Sequence, residues 1–145
     1  MQINYAFLAD AAEFTSDGRL WMLGGDIDTI YTPQVPVTHA ELSLVMKLSI
    51  DPIDCETEHR IQFQLLDPNN IPLVPDSGFS FTPNLSQDPD LPNGYGICLG
   101  FQQVKFQQFG KHTVVIRIDG EEHRRLPLKI VQRANAASVK EAKPL

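Results

Sequence analysis

Leu42-Ser43-Leu44-Val45-Met46-Lys47-Leu48-Ser49-Ile50 carries a large apolar side chain at every even position. An extended chain gathers such a set on one face, whereas a helix scatters it around its circumference. The run therefore reads as a strand with one face on a core. The same period of two recurs in Ile3, Tyr5, Phe7 and Ala9, in Ile61, Phe63 and Leu65, in Ile97, Leu99 and Phe101, and in Val114, Ile116 and Ile118. These side chains form the predicted core.

Turn-forming residues punctuate the runs. Asp17-Gly18 and Asp119-Gly120 supply positive φ at low cost and predict tight hairpins between antiparallel neighbours. The Pro-rich stretches at 32–36, 67–70 and 88–94 lack ladder donors and read as loops. Strands are then expected near 2–11, 19–31 with a bulge at Gly24-Gly25, 40–50, 59–66, 78–83, 95–104, 112–119 and 123–132. No connection holds a ten-residue helical pattern, so the predicted fold class is all-β, an antiparallel two-sheet sandwich of immunoglobulin-like kind with seven to eight strands. It occupies residues 1–132. The remainder, 133–145, has Val139 as its sole large apolar side chain before the terminus and reads as a flexible or partner-docked tail.

A chain of 145 residues suits one domain, and 42% apolar with 21% charged residues is a globular composition. The first residues, Met1-Gln2-Ile3-Asn4-Tyr5, lack the basic and apolar regions of a secretory signal, and no apolar run is long enough to span a membrane. A cytoplasmic location without membrane contact is expected. Cys55, in a polar loop, and Cys98, in an apolar strand, match neither a zinc spacing nor a disulfide framework and are read as reduced thiols. Eighteen acidic against twelve basic residues leave a net charge of −6, and the part up to Gln132 is more acidic still, with 17 Asp/Glu against 9 Lys/Arg. A surface of that sign repels phosphate backbones, so no nucleic-acid partner is expected.

Particular stretches carry a family resemblance. Tyr5-Ala6-Phe7-Leu8-Ala9-Asp10, Gly18-Arg19-Leu20, Leu23-Gly24-Gly25-Asp26-Ile27-Asp28-Thr29-Ile30-Tyr31, Phe109-Gly110-Lys111-His112, Asp119-Gly120-Glu121 and Leu126-Pro127-Leu128 resemble a group of small bacterial proteins known only as a domain of unknown function. The resemblance covers nearly the whole domain. It implies a sandwich fold and supplies no activity and no catalytic residues.

Gly24-Gly25-Asp26-Ile27-Asp28 lacks the Lys-Ser/Thr and helix of a phosphate loop. His39, His59, His112 and His123 are scattered, with His112 and His123 expected at exposed strand ends flanking the Asp119-Gly120 turn. No serine or cysteine stands in a nucleophile setting, so the chain is expected not to be an enzyme and to need no cofactor. Counting strand directions brings the loops 51–58, 87–90 and 119–122 to one pole, where Asp51, Asp54, Asp88, Asp90 and Asp119 are candidate ligands for a calcium-type cation. Trp21, in Leu20-Trp21-Met22-Leu23, reads as packed in a doubly covered strand; an exposed ring beside a concave surface would instead favour a small-ligand or carbohydrate site. Gln62 and Gln64 mark a neutral polar outer sheet face suited to protein contact. The expected role is a non-catalytic interaction or accessory module that binds a protein partner or itself.

Overall fold

The computed structural model describes residues 1–91 and 93–134. These residues form the strands β1 (Gln2–Ala9), β2 (Ala11–Phe14), β3 (Leu20–Leu23), β4 (Thr29–Thr32), β5 (Val37–Ser49), β6 (His59–Leu66), β7 (Ser77–Phe81), β8 (Gly94–Phe106), β9 (Gly110–Ile118) and β10 (Glu121–Gln132). Among the described residues, helical structure is confined to one 3-10 turn, Pro52–Asp54. The all-β class holds. The expected tail, 133–145, falls almost entirely outside the described residues.

The immunoglobulin-like two-sheet sandwich is corrected to three sheets. One has the order β1-β5-β8, a second β4-β10-β9-β6-β7, and a third is the hairpin β2-β3. The chain does not run on from β1 as one strand through residue 11. It bends at Asp10, whose N–H donates to the carbonyls of Leu23 (3.1 Å) and Gly24 (3.0 Å), and this separates the hairpin from β1. Gly24 and Asp26, with φ of 57° for each, then turn the chain away from β3. Gly24-Gly25 is thus a bend between strands and not a bulge within one. A wholly antiparallel arrangement also fails, because β4 pairs parallel with β10 from Thr29↔Lys129 to Thr32↔Gln132.

One apolar core lies between the three-stranded and five-stranded sheets. Leu42, Leu44, Met46 and Leu48 of β5 meet Ile61, Phe63 and Leu65 of β6 and Val114 and Ile116 of β9, all with no exposed surface. The predicted phase of β1 is the exception. A register shift between Ile3 and Tyr5 turns the second half of the strand over. Leu8 is therefore buried at 1% exposure, while Tyr5 and Phe7 lie only half-buried on the other face, their rings stacked 5.8 Å apart. Both Asp-Gly turns join antiparallel partners as expected, with φ of 82° at Gly18 and of 51° and 84° at Asp119 and Gly120.

Candidate functional site

The β2-β3 hairpin lies across the outer face of the three-stranded sheet. Gly96 of β8 makes this approach possible: a Cβ there would stand 2.7 Å from three carbons of the Phe14 ring. Phe14 and its neighbours thereby cover Val45 and Ser43, which are buried although they point away from the main core. The hairpin itself closes through the Thr15–Arg19 turn, where Thr15 N–H donates to the Arg19 carbonyl at 2.9 Å.

Burying one side of a two-stranded ribbon leaves the other side in water. Trp21, 61% exposed, and Leu23, 74% exposed, share that bare side, while Met22, on the side of Phe14, is 45% exposed. The expected packing of Trp21 in a doubly covered strand is therefore overturned. Apolar residues at every position of Leu20–Leu23 look like a central strand, but β3 has β2 as its only ladder partner among the described residues. Beside these side chains is a groove of about 370 Å³, lined by Ala11, Ala12, Glu13 and Glu41 together with the three exposed residues. Isolated exposed apolar residues are ordinary, whereas a contiguous set including tryptophan is not.

The five candidate acidic residues fall into separate hydrogen-bonded groups. Asp51 and Asp54 accept from the Met1 ammonium at 3.1 and 3.0 Å. Those hydrogen bonds, with Asp54 the stronger influence, raise the pKa of the amine. Asp119 accepts instead from His59 Nδ1 at 2.7 Å and from the Arg60 N–H at 2.8 Å. Asp88 and Asp90 fold into their own turn, with the Asp90 N–H donating to Asp88 Oδ1 at 2.9 Å. Among the described residues, no three His, Cys, Asp or Glu side chains are grouped as metal ligands. Backbone bonds do tie the first loop to the segment before β8: Ile50 N–H donates to the Asn93 carbonyl and Glu56 N–H to that of Pro83.

Two histidines that sequence spacing left scattered acquire defined roles. His59 is buried, and its Nε2 lies 2.7 Å from the Asp54 carbonyl while Nδ1 faces Asp119. Both neighbours are acceptors, so the ring donates from both nitrogens as an imidazolium. The Asp119 hydrogen bond raises the His59 pKa, and the same bond lowers that of Asp119. His112, expected at an exposed end, is instead wholly buried against Phe106, edge-on at 5.1 Å. Its Nδ1 donates to the Gly110 carbonyl at 3.1 Å and its Nε2 has no partner among the described residues, which makes it a neutral ring. Burial is the main cause of its lowered pKa. It pairs with Leu128 across the ladder and not with His123, which sits at the register shift between Glu122 and Arg124. Both cysteines are free thiols, and Cys55 is buried at 8% exposure despite its polar surroundings in sequence.

A model of one protein family matches residues 4–131, which include the β1 motif, both Asp-Gly hairpins and the exposed strand β3. The chain belongs to DUF6941, a family of unknown function. No curated protein matches this DUF6941 chain. Among solved structures, it is similar to the Pseudomonas fluorescens alkylpurine DNA glycosylase AlkC bound to DNA containing an abasic site analog, with a TM-score of 0.44 and 8% identity over 90% of this chain. The matched region is 30% of that protein's length. The expectations that the chain is not an enzyme and that it has no nucleic-acid partner do not stand. Missing sequence motifs do not exclude groups that meet only in space, and net charge says nothing of how charge is distributed. A likeness of this size assigns the DUF6941 chain neither an activity nor a ligand. Among its described residues, no helix is long and apolar enough to cross a membrane.

Proposed function

We propose that this chain is a protein-interaction module that holds an extended segment of a partner against the β2-β3 hairpin. The observation that carries this reading is the exposure of Trp21 and Leu23, at 61% and 74%, on a strand whose outer edge has no ladder partner among the described residues. A free edge offers backbone donors and acceptors to an incoming strand, and the neighbouring groove receives its alternate side chains. Tryptophan at the centre of such a patch contributes more to binding than its share of area. Replacing Trp21 and Leu23 together by Ser leaves the main core untouched and is expected to keep the melting temperature within a few degrees. The same change should weaken capture of the partner from native extract by at least about tenfold. Equal recovery by the wild type and the double variant would refute this docking surface, and a doubled mass by light scattering that the variant loses would make the partner a second copy.

A small-ligand or carbohydrate site is the second reading, favoured by the Trp21 ring standing beside a groove that also presents Glu13 and Glu41. Trp21 is the sole tryptophan, so its fluorescence reports this site without interference. A saturable change in emission on titration with mono- and oligosaccharides supports this reading, and a flat response across the panel removes it.

A further inference from the structure

The acidic total conceals a basic face. On the outer side of the five-stranded sheet, opposite the core, ladder positions place Arg60 of β6, Lys111 and Arg117 of β9, and Arg125 and Lys129 of β10. At one end of this face the register sets Lys111 directly across from Lys129, with Thr29 of β4 on the far side of Lys129. Like charges directly opposed in a sheet destabilise it, and among the described residues neither lysine has an anionic partner within 4.0 Å. Folding alone gives no reason for this pairing. An incoming anion does.

An exposed ring lies at the same end. Tyr31, next to Val131 in the parallel ladder, is 54% exposed, and the Arg133 guanidinium stands 4.4 Å from its ring centroid. A flat aromatic surface with Arg133 against it and Lys129 and Lys111 on the same sheet face combines the two elements that hold single strands, stacking for a base and charge for the phosphates on either side. Of the carboxylates near this face, Glu122 is paired with Arg125, which leaves Arg125 no free charge to offer, while Asp28 accepts the Thr29 hydroxyl at 2.9 Å and Asp76 the Gln64 amide at 3.1 Å and both keep their charge. Since charge is screened over about 8 Å at physiological ionic strength, a ligand on this face senses these cations more than the net charge of the whole molecule.

We propose that Tyr31, Lys111, Lys129 and Arg133 form a binding site for single-stranded nucleic acid on the outer face of the five-stranded sheet. This surface lies across the core from the β2-β3 hairpin and is independent of the docking role assigned there. The test is anisotropy of a fluorescent oligothymidylate of about 20 nucleotides against the full chain, in about 50 and about 200 mM salt. Three phosphate contacts on a single strand predict a fall in affinity of about 20-fold between these conditions. The Lys111→Ala/Lys129→Ala variant, altered only at exposed positions, should remove about two thirds of that salt dependence and lose at least about tenfold in affinity at the lower salt. Tyr31→Ala should weaken binding about tenfold while leaving the salt dependence unchanged. The Trp21 and Leu23 double variant should bind the oligonucleotide like the wild type. Absence of binding at the lower salt, or indifference to loss of the lysine pair, overturns the proposal. So does a polyglutamate chain that binds as tightly and ignores Tyr31→Ala, which would assign the face to an acidic protein segment.

Discussion

Phe63→Ala is expected to lower the free energy of unfolding by about 3–5 kcal/mol. Phe63 has no exposed surface and stands on β6 between β9 and β7, opposite Ile116 and 6.2 Å from the ring of Phe79. Truncation removes its transfer free energy and leaves a cavity that two bonded neighbouring strands cannot collapse to fill. Phe7→Ala removes the same atoms from the half-buried outer face of β1 and is expected to cost about 1 kcal/mol. Urea unfolding of both variants measures the contrast. Equal losses would mean that the register shift after Ile3 is wrongly placed and that Phe7, not Leu8, faces the core.

Asp119→Ala is expected to destabilise the fold by about 2 kcal/mol near neutral pH, because it leaves the buried His59 imidazolium without its counter-charge. The figure stays below that of a fully buried pair because Asp119 is half exposed and water screens it. The pH dependence has a defined sign. With its pKa raised, His59 contributes fully below the ordinary imidazole value and loses that contribution as pH rises through its folded pKa. Asp119, with its pKa lowered, contributes above the ordinary carboxylate value and loses that contribution as pH falls through its own folded pKa. The pair is therefore complete between these limits, and the difference between wild type and Asp119→Ala should be larger at about pH 5.5 than at about pH 8.5.

His112 pulls the other way. Burial holds its folded pKa below 6.5, so the unfolded chain takes up a proton that the folded chain refuses, and stability falls as pH drops below that value. In the wild type the two histidines partly offset one another between about pH 5 and pH 7, and Asp119→Ala should steepen the acid loss. A pH-independent difference between the wild type and Asp119→Ala would remove the imidazolium assignment.

How much was legible in advance varied with how local the cause was. The run from Leu42 to Ile50 needed only the alternation of side chains on an extended chain, and β6 begins and ends where its residues suggest. The phase of β1 was misread because the shift after Ile3 leaves no mark in composition: Tyr5 and Phe7 are as apolar as the Leu8 that replaces them at the core. Trp21 was misread because Leu20–Leu23 has the pattern of a covered strand, and whether a second layer covers it depends on residues far away in the chain. Asp51, Asp54 and Asp119 are candidate cation ligands in the sequence, and the partners the fold gives them are the chain's own amino group and His59, more than fifty residues distant in two of the three pairs. No signal in the sequence joined Lys111, Lys129 and Tyr31, which come from three strands.

Taken alone, the order of residues determined that this chain is built of strands, where its Asp-Gly turns fall, and which side chains of β5, β6 and β9 turn inward, since these follow from steric rules that act over a few neighbouring residues. Tertiary structure decided which faces are left uncovered and which charges meet: the bare side of the hairpin, the neutral buried His112, the charged His59 and the lysines opposed across a ladder. Those properties arise from contacts between residues distant in the chain, and their energies depend on burial and on distance through space, neither of which is written in the local order of side chains.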